Sequence, residues 1–384
     1  MNPDTTTPDT PPAETIAYGL AGVVVDTTAV SKVVPETNSL TYRGYPVQQL
    51  ATRPFEDVAY LLWNGELPTD DQRSAFAQEE KALRPLDDDL LATIATFSTS
   101  AHPMDTLRTA VSFMGQAAVN VDDAQAEQAE LLQSAITLMA KIPTAIAADY
   151  RLRNNKDIIA ADPSLGFVEN FFHMCFGEVP DDTVVKCFDT SLTLYAEHSF
   201  NASTFAARVI TSTQSDMYAA VTGAIGCLKG PLHGGANEQV MHMLQEVGSP
   251  ENAAAWLQAK LASKEKIMGF GHRVYQGGDS RVPTMTDALS TMVDHDNSEK
   301  SKQIWDTSKA LEKAMFEAKG IHPNLDYPAG PAYYLMGFDI PLFTPIFVMA
   351  RIVGWTAHIM EQASNNKLIR PLSAYVGPSQ RDLD

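Results

Sequence analysis

From about residue 50 onward, apolar residues recur at three- and four-residue spacing, and no helical run alternates with a short strand-like run. A parallel sheet requires that alternation, so the chain is confined to a mainly α architecture. The pattern is clear in Leu90, Leu91, Ile94 and Phe97, in Leu131, Leu132, Ile136 and Met139, and in a long stretch from Thr183 to Thr213 that is interrupted near Ser199-Phe-Asn-Ala-Ser203. The polar, acidic segment Asn120 to Glu130 reads as a loop, and Asp162-Pro163-Ser164 as a break. Only the N-terminal part departs from the pattern. There, Ala21 to Val25 and Leu40 to Gly44 are β-prone and predict a few strands or a hairpin-like edge. No repeat at a solenoid period is present.

A chain of 384 residues with 45% hydrophobic content closes a substantial core as one large domain or two ordinary ones. Its formal charge of −19 argues against nucleic acid as a partner, because phosphate backbones are neutralised by clusters of Lys and Arg. Cys175, Cys187 and Cys227 are widely spaced and fall in no C-x-x-C or C-x-x-H pair, so zinc and redox chemistry are not expected, and reduced thiols in a cytoplasm fit. Residues 1–14 are rich in Pro, Thr and Asp, lack the basic start and apolar stretch of a signal peptide, and read as a disordered tail. The most apolar segment, Ile340 to Met360, is interrupted by Pro341, Pro345, Arg351 and His358, which does not suit a spanning helix; no membrane partner is expected.

Glycines gather at residues 223–235, 269–278 and 320–337, and the residues able to do chemistry lie among them. Lys229-Gly-Pro-Leu-His233-Gly-Gly-Ala-Asn237 sets a histidine among residues that break helices and let backbone approach a ligand, although a histidine in a glycine turn is also a common structural feature. His-Gly-Gly is similar to the oxyanion loop of lipases, but the Gly-x-Ser-x-Gly elbow of an esterase is missing. A second histidine lies in Gly269-Phe-Gly-His272-Arg-Val-Tyr275. Val274 occupies the third glycine position of a dinucleotide fingerprint there, which disfavours a Rossmann site. Between Trp256 and Arg281 stand Lys260, Lys264, Lys266, Arg273 and Arg281 against Glu265 and Asp279, an excess that suits a polyanion such as the phosphates of CoA or, equally, a solvated basic face. His322-Pro-Asn-Leu-Asp326-Tyr-Pro places a carboxylate between two prolines, where Asp is commonly a local hydrogen-bond acceptor.

Phe347, Arg351, Trp355 and His358 recur at helical spacing, so Arg351 lies on an otherwise apolar or aromatic face. Unpaired burial of a guanidinium costs on the order of several kcal/mol. Arg351 therefore either snorkels to solvent or is answered by an internal acid or a bound carboxylate.

Gly230-Pro-Leu-His233-Gly-Gly-Ala-Asn237, Gly269-Phe-Gly-His272-Arg-Val-Tyr275, Asn324-Leu-Asp326, Gly354-Trp-x-Ala-His-x-x-Glu361 and Arg370-Pro371 together resemble the citrate synthase family, in order and spacing, over nearly the whole chain. The resemblance implies that His233 stabilises an enol, Asp326 is the base and His272 serves the oxaloacetate carbonyl. It implies His198 as a substrate-binding histidine and Arg281, Arg351 and Arg370 as carboxylate clamps, with Arg370 reaching the neighbouring subunit's site. The backbone of Ile267, Met268, Gly269, Phe270 and Gly271 is similar to the loop that recognises the adenine end of CoA. The implied fold has two helical domains, a large one from residues 15–228 and 335–384 that dimerises, and a smaller inserted one from residues 229–334. No metal and no tightly bound cofactor is implied; the CoA thioester is a substrate.

Thr37 to Val47, Ala101-His-Pro-Met-Asp105, His198 to Phe205 and Asn324 to Gly337 resemble, within that family, the 2-methylcitrate synthases of actinobacterial type, which use propionyl-CoA in propionate breakdown. One methylene in a pocket is worth only about 1–3 kcal/mol, so overlap with acetyl-CoA, and thus with citrate synthase proper, is expected. Three departures bear on the site. Tyr327-Pro328-Ala329 replaces the aromatic pair of many relatives and implies a different wall near the acyl group; Gln276 stands where some relatives have a basic residue; Leu372 replaces a second arginine. A zinc hydrolase would need a closely spaced histidine pair that the chain lacks. A catalytically silent CoA-binding regulator on the same scaffold would have no use for a base, which the joint presence of His233, His272 and Asp326 supplies.

Overall fold

The structure, a computed structural model, describes residues 16–20, 22–117, 124–272, 274–275 and 277–383. The tail expected over residues 1–14, and the positions Arg273 and Gln276, lie outside the described residues. Strands β1 (Ser31–Val34), β2 (Ser39–Tyr42) and β3 (Tyr45–Pro46) form an antiparallel meander with Tyr42 opposite both Ser31 and Tyr45. Arg43 and Gly44 make the second reversal with φ of 47° and 88°, the two-residue turn whose twist matches that of its flanking strands. The strand expected over residues 21–25 is absent from the described residues 22–25. Val23, Val24 and Val25 are exposed with no neighbouring strand, and β-propensity without a partner to pack against does not make a strand.

The rest is helical. Helices α1 (Val47–Leu50), α2 (Phe55–Asn64), α3 (Asp70–Leu83), α4 (Asp88–Ala95), α5 (Pro103–Met114) and α6 (Ala124–Arg153) come first, followed by α7 (Phe167–Phe176), α8 (Asp182–Tyr195), α9 (Ala202–Thr211) and α10 (Met217–Leu228). Next come α11 (Ala236–Val247), α12 (Ala253–Ala262), α13 (Val282–Asp296), α14 (Glu299–Lys319) and α15 (Asp326–Leu335), and α16 (Phe343–Ser364) is the last. The loop expected up to Glu130 is shorter than the sequence suggested, because α6 already starts at Ala124. Its first residues, Ala-Gln-Ala-Glu-Gln-Ala-Glu, are polar but are all strong helix formers. The interruption expected near Ser199 is the crossing from α8 to α9.

α16 is the axis of the core. Every residue from Phe343 to Ile359 is buried, against α2, α6, α8, α9 and α10. By length and composition α16 could cross a membrane despite its prolines and Arg351, but 89% of its apolar window is covered by protein, which accounts for that composition. α11 to α15 pack mainly on one another and meet the remainder through α13 and α15 on α8 and through α11 on α16. The C-terminal end of α8 therefore lies where these groups of helices converge.

Candidate active site

Tyr195 ends α8, and the segment to Asn201 crosses to α9. The N-terminal sheet braces this crossing. The Tyr42 hydroxyl donates to the Glu197 carbonyl at 2.9 Å and accepts the Glu197 N–H at 3.3 Å. Ser31 donates through Oγ to Glu197 Oε1 at 2.9 Å and accepts the Ser199 N–H at 3.0 Å. Glu197 is fully buried; burial opposes its charge, but His358 at 2.8 Å and Arg351 hold its carboxyl below the usual range.

Asp326 opens α15, and the Tyr195 hydroxyl donates to its Oδ1 at 2.7 Å. Burial pushes its carboxyl up to about 6, against the opposing effects of that bond and of Arg281. Arg351 is only 2% exposed; its Nε donates to the Tyr195 carbonyl and its guanidinium lies over the Phe347 ring, 4.8 Å from the centroid. Among the described residues no carboxylate pairs with it directly. Burial pulls it down to about 10, with the Glu197 charge acting the other way, so Arg351 is positive at neutral pH, and among the described residues neither Nη group makes a hydrogen bond or ion pair.

His233 lies in the loop between α10 and α11, edge-on to Phe347 with centroids 6.3 Å apart. Its Nε2 is 2.8 Å from Ser203 Oγ and 3.3 Å from the Ser203 backbone nitrogen. A backbone N–H can only donate, so Nε2 accepts and the ring proton sits on Nδ1. Burial, with the Arg351 charge, pushes this histidine down to about 4 and keeps it neutral. Trp355 Nε1 donates to the same Ser203 Oγ at 3.0 Å and fixes it in place.

His272 has the opposite tautomer for the same reason: its Nδ1 accepts the N–H groups of Val274 (3.1 Å) and Tyr275 (3.3 Å), which puts the proton on Nε2. Burial and Arg281 push it down to about 4. His198 stands against it with ring centroids 4.9 Å apart, and bonds through Nε2 to the Tyr275 hydroxyl at 3.3 Å. Burial, then Arg281 and His272, keep His198 well below its ordinary value. Arg281 forms a two-pronged pair with Asp279, at 2.9 and 2.7 Å, and Asp279 also accepts the Leu325 N–H at 3.2 Å. Burial disfavours both charges, yet the pair more than offsets it: Arg281 is held above its ordinary range and Asp279 well below.

The loop of Ile267, Met268, Gly269, Phe270 and Gly271 is tied to the segment before Asp326 by a β-bridge between Phe270 and Pro323 and by the Gly271 N–H to His322 carbonyl bond at 2.9 Å. Gly269 has φ of +81°, and a Cβ there would meet Val240 at 2.4 Å, so only glycine lets the loop lie this close. Tyr327 is buried; it packs on Phe270 at 4.6 Å and its hydroxyl donates to the Ser308 carbonyl at 2.7 Å. Arg370 is exposed beyond α16 and, among the described residues, makes no hydrogen bond or ion pair with the groups above. The sequence reading missed Tyr195, Ser203 and Asp279. Tyr195 and Ser203 stood within the stretch around His198, and Asp279 two residues before Arg281.

The family profile described as "Citrate synthase, C-terminal domain" matches residues 19–372. The chain is 61% identical over 370 residues, 96% of its length and 92% of the relative's, to a protein named 2-methylcitrate synthase from Mycobacterium tuberculosis. It is 59% identical over 374 residues, covering 97% and 98% of the two chains, to one named citrate synthase from Mycolicibacterium smegmatis. Among solved structures, the ternary complex of carboxymethyl coenzyme A and oxaloacetate with citrate synthase from Thermoplasma acidophilum matches with a TM-score of 0.90 at 28% identity, over 96% of this chain and 98% of that one.

Proposed function

Because the chain belongs to the citrate synthase family, whose members condense an acyl-CoA with oxaloacetate, we propose that it joins propionyl-CoA, oxaloacetate and water to give 2-methylcitrate and CoA, with acetyl-CoA as an active second substrate. The observation that carries this is what gathers around the end of α8: a carboxyl raised to about 6 and held by Tyr195, a neutral His233 edge-on to the Phe347 ring that also packs on Tyr195, and a neutral His272 against His198, each of His233 and His272 with its proton on the nitrogen that has no partner among the described residues.

Asp326 removes the α-proton of the thioester, and Nδ1–H of His233 donates to the enolate oxygen as it forms; without that donor so weak a carbon acid would not ionise. The enolate carbon then bonds to the keto carbon of oxaloacetate, whose oxygen receives the Nε2–H of His272. Arg351, whose Nη groups have no partner among the described residues, holds one carboxylate of the dianion, and Arg281 and His198 line the same end. Water cleaves the C–S bond of the thioester and releases CoA as the thiol. No metal or bound cofactor enters these steps.

Residues 229–334 serve as the smaller domain that closes over the cleft, on the body made by residues 15–228 and 335–384; the mutual packing of α11 to α15 supports this division. The enzyme works as a cytoplasmic homodimer. Leu368, Leu372, Tyr375 and Val376 flank Arg370 on an exposed, non-helical segment, and so much uncovered apolar surface suits a second copy of the chain. Steady-state comparison of propionyl-CoA with acetyl-CoA at saturating oxaloacetate tests the proposal. The expected ratio of kcat/KM favours propionyl-CoA; a ratio strongly favouring acetyl-CoA would make the enzyme a citrate synthase, and no turnover with either would leave a silent CoA-binding protein.

A further inference from the structure

The segment Ala101-His102-Pro103-Met104-Asp105 has no part in the chemistry above, yet it meets the His233 loop at both ends. His102 caps the N-terminus of α5, and Asp105 lies in that helix's first turn. Before the histidine, Lys229 Nζ donates to both oxygens of Asp105, at 2.7 and 2.6 Å. After it, Glu238 in the first turn of α11 lies with Oε2 3.2 Å from His102 Nε2. The cap sets the direction of this second bond: His102 Nδ1 accepts the Met104 N–H at 3.2 Å, so Nε2 carries the proton and donates. Glu238 is held in turn by α16, since its Oε1 accepts the Thr344 N–H at 3.3 Å and the Thr344 hydroxyl.

Between these ties the loop is a run of turns, with the His233 N–H on the Gly230 carbonyl at 2.9 Å and the Gly234 N–H on the Leu228 carbonyl at 2.8 Å. Leu232 is 83% exposed, and the His233 ring bonds, among the described residues, only to Ser203. We infer that His102 and Asp105 are positioning residues for His233: they touch no reacting atom, and they fasten both ends of the loop that does to one helical turn. The role rests on the condensing reaction proposed above.

Asp105→Asn and Glu238→Gln each remove the charge from one tie at nearly constant shape, and Asp105→Glu keeps it. In the full-length enzyme, kcat and KM with propionyl-CoA, oxaloacetate affinity by calorimetry and melting temperature are measured for all three. A displacement of about 1 Å at a reacting group costs up to about a hundredfold in rate, so kcat is expected to fall about ten- to a hundredfold in Asp105→Asn and Glu238→Gln. Oxaloacetate affinity should stay at the wild-type level, because His198, His272, Arg281 and Arg351 sit on other elements, and Asp105→Glu should recover most of the lost turnover. Wild-type kcat in both charge-removed variants overturns the role. So does parallel loss of turnover, oxaloacetate affinity and melting temperature, the mark of a general destabilisation. If the wild-type enzyme itself condenses neither propionyl-CoA nor acetyl-CoA, the functional reading fails, and the positioning role fails with it.

Discussion

Tyr195 donates its hydroxyl proton to Asp326 Oδ1 across 2.7 Å, joining the last residue of α8 to the first residue of α15. The bond favours the charged carboxylate against the burial that raises it, and it occupies one oxygen so that the other is left to take a proton. Tyr195→Phe keeps the ring against Phe347 and removes the donor. Asp326 then titrates above its present value of about 6, and the acid limb of the kcat/KM profile moves to higher pH. A hydrogen bond to a charged group contributes about 1.5–3 kcal/mol, a rise of about one to two pH units, so turnover at pH 7 should fall about two- to fifteenfold. An acid limb that does not move would remove Tyr195 from this role.

As the proposed base, Asp326 can act only when ionised, so activity is expected to be lost as pH falls through about 6, well above the range of an ordinary carboxylate. His233 and His272, both pushed down to about 4, stay neutral across that limb, which should therefore report one titration. The same burial has a cost in stability. A carboxyl that titrates near 6 when folded and at about 3.9 when unfolded destabilises the protein above the first value and not below the second. Asp326→Asn should accordingly raise the melting temperature at about pH 8 and leave it unchanged at about pH 3, while abolishing condensation. Equal melting shifts at both pH values would contradict the raised carboxyl.

His233, His272 and Asp326 stand out in the sequence as candidates because each is a reactive side chain set among glycines and prolines that shape a loop rather than extend a helix. The face of α16 was legible too, and with it the demand that Arg351 be answered. What could not be read was which distant segments meet. Tyr195 and Asp326 are separated by 131 residues, and Tyr42 lies 155 residues from the Glu197 carbonyl it supports. Side-chain periodicity carries no information about such pairings, which packing alone decides. The same limit explains the errors in local structure: Gly22 to Val25 has strand propensity but no partner, and Ala124 to Glu130 looks polar enough for a loop yet is held as helix by its composition.

Arg281 was expected to clamp a substrate carboxylate, and it already has a buried partner in Asp279. Removing one member of such a pair leaves an uncompensated charge, which costs about 3–5 kcal/mol. Asp279 also accepts the Leu325 N–H, one residue before Asp326, so the loss reaches the base. Asp279→Asn should lower the denaturation midpoint by an amount equivalent to about 3–5 kcal/mol and reduce kcat as well. A variant of wild-type stability would mean that solvent or another acid already answers Arg281.

Arg370 is exposed and, among the described residues, makes no hydrogen bond or ion pair with the cleft of its own chain, although a dicarboxylate substrate calls for several cations. If it completes the site of a partner subunit, complementation between two inactive variants follows from the symmetry. Asp326→Ala and Arg370→Ala homodimers each lack one required group in both sites. In a mixed dimer one site carries both defects, while the other has its own Asp326 and receives Arg370 from the Asp326→Ala subunit. Random exchange makes about half of the dimers mixed, each with one intact site of two, so equal mixing after unfolding and refolding should restore about a quarter of wild-type activity. The readout is turnover of propionyl-CoA with oxaloacetate before and after mixing. If Arg370 acted within its own subunit, the mixed dimer would hold two defective sites and mixing would restore nothing.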